Sequence, residues 1–157
     1  MLYAADAEWW RVHGNEVAKS FAGERWSCEQ HDTRPLEGVR LVRVADHESG
    51  LSRLDGTVNS GGNSGHQAVG LAELFGARRV VLLGYDFTLG AGGVPHWHGV
   101  HTSGLRNPSA NALERWRPRM QKLAADLQAA GIEAWNCSRA TALDCFPRCS
   151  LDEALSE

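Results

Sequence analysis

A chain of 157 residues is one domain's worth of sequence and long enough to bury a core; its net charge of -3 and pI near 6.2 give no basic footprint for duplex DNA or RNA. A small anionic ligand stays compatible, since a few arginines suffice to hold one. Four cysteines, Cys28, Cys137, Cys145 and Cys149, occur without a signal peptide or a long apolar run, so the sequence reads as soluble and cytoplasmic, away from membranes, with reduced thiols.

The chain opens on a strand pattern, Leu2-Tyr3-Ala4-Ala5, with Asp6 as the N-cap of a helix carrying Trp10, His13 and Val17. For Trp9 and Trp10 the core is the expected place. Arg25 to Cys28 and Val39 to Val44 are further strand patterns, the second β-branched and preceded by the turn formers Pro35 and Gly38. Gly50 to Gly62 is polar and glycine-rich, hence a loop.

Ser64 is placed to cap the next helix, with Gln67 completing an S-x-x-Q capping box. Ala68, Leu71, Ala72 and Phe75 then fall on one helical face, and Gly76 sits where a left-handed C-terminal cap is wanted. Val80 to Leu83 reads as a buried strand, after which Asp86 leaves its carboxyl end, where open α/β sheets place ligands.

Thr88 to Pro108 is a long, glycine-rich segment dense in histidine and arginine, of the kind that is either functional or disordered. A helix capped by Ser109 follows, with Leu113, Trp116, Met120, Leu123, Leu127 and Ala130 along one side; Pro118 should kink or restart it. Gly131 ends that helix, Ile132 to Trp135 is a last strand, and Asn136 to Arg139 is the loop at its carboxyl end. Ser150 to Glu153 is a capping box opening a short terminal helix. Strand and helix patterns alternate throughout, which argues for a mainly parallel sheet flanked by helices in one α/β domain.

The glycines before Ser64 let backbone N–H groups converge, and the helix dipole adds partial positive charge, so a phosphate or carboxylate fits against Asn63, Ser64 and Gly65; a tight turn and cap with no ligand is the plainer alternative. Asp86 suits a ribose hydroxyl, a base edge or a metal-bound water, or else caps its own turn. Tyr85 and Phe87 beside it either stack on a base or pack. His96, His98 and His101 suit hydrogen bonds to phosphate or ribose, with one imidazole able to act as a general base. They lack the rigid helical spacing of metallohydrolase motifs, so a mobile, solvated loop is the second reading and zinc the third; Trp97 within the run favours order. Arg106 and Arg139 match phosphate oxygens with planar forks, surface salt bridging being the alternative. Asp6 could border the same crevice. Ser138, in the loop at the last strand's carboxyl end, is expected among the ligand-binding residues, although Ser138 and Cys137 have neither a histidine in pattern nor a nucleophile elbow that would make them a catalytic triad. Cys137, Cys145 and Cys149 do not follow a zinc-ribbon spacing.

The run from Gly61 to Asp86, with His96-Trp97-His98-Gly99, Asn107-Pro108, the stretch from Asn136 to Arg148 and the opening Tyr3 to Trp10, resembles short phage-encoded Rossmann-like proteins related to the 6-hydroxymethylpterin diphosphokinase-like (MptE-like) family. The stretch ending in Gly84-Tyr85-Asp86 is more distantly similar to the nucleotide-sugar core of bacterial lipooligosaccharide sialyltransferases. This resemblance implies a Rossmann-like fold and a nucleotide-type ligand. Family members usually begin with an additional strand and a glycine-proline-serine loop upstream of the point where this sequence starts. The resemblance therefore implies either an N-terminally shortened form that binds without turnover or a natural start upstream of Met1.

Three functions follow as expectations. The first is a binder of a nucleotide or nucleotide-derived phosphate compound, which in a phage could sequester a host defence signal. The second is a nucleotide-dependent transferase of pyrophosphoryl, nucleotidyl or glycosyl groups, with His96 or His98 as base and Asp86 orienting the sugar or a divalent metal. The third is a virion structural or assembly protein whose six tryptophans serve an interface. A chain opening on a strand can need a partner to cover an edge, which makes a homodimer compatible.

Overall fold

In the computed structural model, residues 1–28, 37–96, 98–101 and 104–156 are described. Pro35 and Trp97, to which the sequence assigns a turn and an ordering role, lie outside them. The elements run β1 (Leu2–Tyr3), α1 (Ala7–Ser20), β2 (Arg25–Cys28), β3 (Arg40–Ala45), β4 (Thr57–Asn59), α2 (Ser64–Leu74), β5 (Arg79–Leu82), α3 (Ala110–Ala129), β6 (Glu133–Asn136) and α4 (Leu151–Leu155), with a 3-10 turn at Ala91–Gly93. Every pair of these strands is parallel, as the alternating pattern requires. The fold is α/β and Rossmann-like. Its strands form a four-stranded sheet in the order β1-β2-β3-β4 and a two-stranded sheet of β5 and β6.

Two clusters make the core. Val69 from α2, Val80 and Leu82 from β5, and Met120, Leu123 and Leu127 from α3 pack with Leu143 and Phe146 of the C-terminal segment. Val42, Val58 and Leu71 make the second, joining α2 to the four-stranded sheet. The two clusters meet α2 on different sides, which is why its buried residues are His66, Gln67, Val69, Gly70 and Leu71 in place of one helical stripe. Phe75, expected in the core, is 50% exposed and lies edge-on to Trp26, with ring centres 5.1 Å apart.

Other expectations shift for local reasons. The loop from Gly50 to Gly62 contains β4, too short and polar to read as a strand, paired to β3 through Val44 and Val58. The expected strand at Val80 starts one residue earlier and ends at Leu82; Leu83 is 56% exposed. α3 continues unbroken through Pro118. The carbonyl of Glu114, which loses its helical partner to that proline, belongs to an exposed residue and can turn to water. Gly76 adopts the left-handed conformation expected of it, and Ser150 and Glu153 form the capping box of α4. Among the described residues no helix is long and apolar enough to cross a membrane.

Candidate functional site: an anion-binding cleft

The start of α2 is built one residue earlier than its sequence suggests. Asn63 is the N-cap, extended at φ -153° and ψ 154°, and its Oδ1 accepts the His66 N–H at 2.8 Å. Ser64 is thereby the first helical residue, and its hydroxyl is not the cap. Gln67 is drawn inward instead of closing a box: its Oε1 accepts the Tyr3 hydroxyl and its Nε2 donates to the Ser60 carbonyl at 3.2 Å. With the His66 and Gln67 amides engaged, those of Ser64 and Gly65 have no partner among the described residues. They are the donors that a helix N-terminus offers an anion.

A residue the sequence reading passed over holds this corner in place. His66 is fully buried, and its Nε2 accepts the Gly50 N–H at 3.0 Å, which requires the neutral tautomer with the proton on Nδ1. Burial lowers its pKa to about 4; Arg119 pushes the same way, while the Asn59 backbone carbonyl and Asp126 oppose. Gly61 lies against the ring so closely that a Cβ there would come within 2.0 Å of it, at a left-handed φ of 54°. Glycine is needed at 61 because imidazole occupies the space.

The corner opens on a cleft of about 2220 Å³. Its lining brings together Asp6, Asn63, Ser64, Gly65, Asp86, His96, His101, Arg106, Ser138 and Arg139, all expected on one site from sequence. His98 is not in that lining. Asp6, Asn63 and Ser109 are the N-caps of α1, α2 and α3, so three helices point their positive ends at one space. Arg106 and Arg139 are exposed, and neither guanidinium has an ion-pair or hydrogen-bond partner among the described residues. Arg115 and Trp116, one turn into α3, line the cleft too, and the helical pattern gave no sign of it beyond their distance from the Ser109 cap.

The far wall is a hydrogen-bonded frame. Tyr85 N–H donates to Ser138 Oγ at 2.8 Å, Ser138 N–H donates to Asn136 Oδ1 at 3.0 Å, and Tyr85 hydroxyl donates to the Gly65 carbonyl at 3.0 Å. Burial raises the Tyr85 phenol to about 12, so it stays a donor. Tyr85 therefore packs and ties the wall to α2. Ser138 is buried with its oxygen accepting, which leaves its O–H proton to offer a ligand. Arg148, unremarked in the sequence, donates to the Ser138 and Arg139 carbonyls at 2.8 and 3.0 Å and fixes that loop. Asp86 is exposed while its backbone carbonyl accepts the Ala142 N–H at 2.7 Å. Trp10 is core, 3% exposed, with its indole N–H on the Ala4 carbonyl; Trp9 borders the cleft.

The histidine segment has more structure than its composition suggests. Gly99 N–H donates to the His96 carbonyl at 3.0 Å, and Asn107 clamps His101, accepting its N–H at 2.8 Å and donating to its carbonyl at 3.2 Å. Burial and the neighbouring imidazoles hold His96 and His101 below the ordinary histidine pKa, with Asp6 pulling His101 the other way. Cys137 and Cys149 are free thiols whose sulfurs lie 3.6 Å apart. Comparison with protein-family models, curated proteins and solved structures gives no match for this chain.

Proposed function

We propose that the protein binds a nucleotide or nucleotide-derived phosphorylated small molecule in this cleft. The observation that carries the reading is the pair of unengaged amides at Ser64 and Gly65, which share one cleft with the exposed guanidinium groups of Arg106 and Arg139. Such amides and planar cations are the groups that take phosphate oxygens. Trp9 and Trp116 in the lining supply faces on which a base can stack. The resemblance to short phage proteins extends the proposal to sequestration of a host defence signal in the host cytoplasm, with no turnover required.

A panel of nucleotides, cyclic nucleotides and nucleotide sugars, scored by thermal denaturation, tests this reading. A ligand at a hundred times its dissociation constant adds about 2.7 kcal/mol of stability. Melting curves that stay flat across the panel overturn it. The transferase reading draws on His96, His101, Asp6 and Asp86 lying in the same lining. Mass spectrometry after incubation with nucleoside triphosphates and nucleotide sugars separates the two, because a binder returns its ligand unchanged.

A further inference from the structure

We propose that His96, His98 and His101 form a binding site for a divalent transition-metal ion of the zinc class, at the wall of the cleft. One ligand nitrogen from each residue lies within 4.8 Å of the others. Tetrahedral zinc with Zn–N of about 2.0–2.1 Å sets its ligand nitrogens about 3.3 Å apart, so the three need to close by about 1.5 Å at most. Side-chain rotation supplies that much without moving the backbone. The ring centres already cluster at 5.1 Å for His96 and His98, 4.3 Å for His96 and His101, and 5.0 Å for His98 and His101.

Two independent features point to a ligand. His96 Nε2 is buried and has no hydrogen-bond partner among the described residues, an arrangement that costs free energy unless something fills it. The backbone that carries the site is also pinned, by the Gly99-to-His96 bond and by the two-way clamp of Asn107 on His101. A merely solvated histidine loop needs neither. Imidazole donors select zinc, copper, nickel or iron over magnesium and calcium. Three protein ligands leave a coordination position for water or substrate, as in catalytic zinc sites. His96 and His101 belong to the cleft lining and His98 does not, so the ion sits between cleft and solvent.

The test uses purified full-length protein with any affinity tag removed, titrated with zinc chloride by calorimetry and with cobalt(II) followed by visible absorption. The expected result is one ion per chain, a cobalt spectrum without thiolate charge-transfer bands, and no competition from excess magnesium. His98→Ala, at an exposed position where folding is not at risk, should weaken zinc by at least about tenfold, since losing a ligand exceeds the cost of losing its outer-shell support. His96→Ala and His101→Ala should do the same. Absence of zinc uptake by the wild-type chain overturns the proposal. So does uptake that survives the triple histidine substitution, or that disappears in Cys137→Ser/Cys149→Ser, which would move the ion to the thiols. None of these results depends on whether a nucleotide binds.

Discussion

Acid should loosen the anion corner through one side chain, His66. Its ordinary pKa is 6.5, and the folded protein lowers it to about 4. Between those values the unfolded chain binds a proton that the folded chain refuses, so stability rises with pH across that window and is lost as pH falls through it. At about 1.4 kcal/mol for each pH unit of separation, the full effect is about 3 kcal/mol. Roughly 2 kcal/mol of it appears between about pH 7 and about pH 5. The mechanism is local: a protonated Nε2 can no longer accept the Gly50 N–H, and a charge would then sit fully buried beside Arg119. Urea denaturation followed by circular dichroism at a series of pH values measures the slope. His66→Gln is the control, because its amide oxygen can still accept from Gly50 while nothing titrates. The variant should be flatter than wild type by about 2 kcal/mol over that range. Equal slopes in the two proteins would mean that His66 does not carry the acid sensitivity. Asp126, which burial would raise but which the Lys122 ammonium and the Leu51 amide hold low, contributes in the same sense at lower pH, its stabilisation being lost as pH falls, and is common to both proteins.

Two further predictions concern the frame of the cleft. Gly61→Ala should destabilise by roughly 2–4 kcal/mol, from a Cβ driven into the His66 ring and a left-handed backbone that alanine resists, measured by the same denaturation. Asn136→Leu should cost about 2–4 kcal/mol, because the buried amide bridges the Ser138 N–H, Thr141 hydroxyl and Tyr85 carbonyl, and an isosteric apolar group leaves the Ser138 amide unmet. Both should leave far-ultraviolet circular dichroism unchanged below the transition.

Much of the fold was legible because it is local. Asp6, Ser109 and Ser150 announce helix starts, Gly76 a helix end, and the β-branched run at 39–44 a strand, each from a few neighbouring residues. What escaped was decided at long range. Asn63 and Ser64 are both good caps, and the choice between them turned on Gln67, whose partners Tyr3 and Ser60 lie on β1 and the loop after β4. β4 is held by pairing with β3 and by Asn59, whose amide donates to the Ser49 and Leu51 carbonyls; its own three residues carry no strand pattern. Phe75 fits a single-stripe helix, whereas α2 lies between two clusters and buries several sides. The site fared similarly. Strand ends and helix starts placed seven of the expected residues in one cleft, and the histidine- and arginine-rich segment after Asp86 supplied three more, His96, His101 and Arg106. His66 and Arg148 were missed, because a buried histidine or a loop-pinning arginine has no sequence signature apart from the contacts it makes.

If the helix-terminal amides of α2 hold phosphate, Ser64→Pro should weaken its binding. Proline is tolerated at the first helical position, and the extended Asn63 before it suits a following proline, so the fold should survive while one amide donor disappears. A charge-assisted hydrogen bond is worth about 1.5–3 kcal/mol, which predicts at least about a tenfold loss of affinity for the best binder in the nucleotide panel. Calorimetric titration of wild type, Ser64→Pro and Ser64→Ala gives the answer, the alanine variant accounting for the hydroxyl alone. Affinity in Ser64→Pro equal to that in Ser64→Ala, with both proteins equally stable, would mean that the Ser64 amide holds no phosphate.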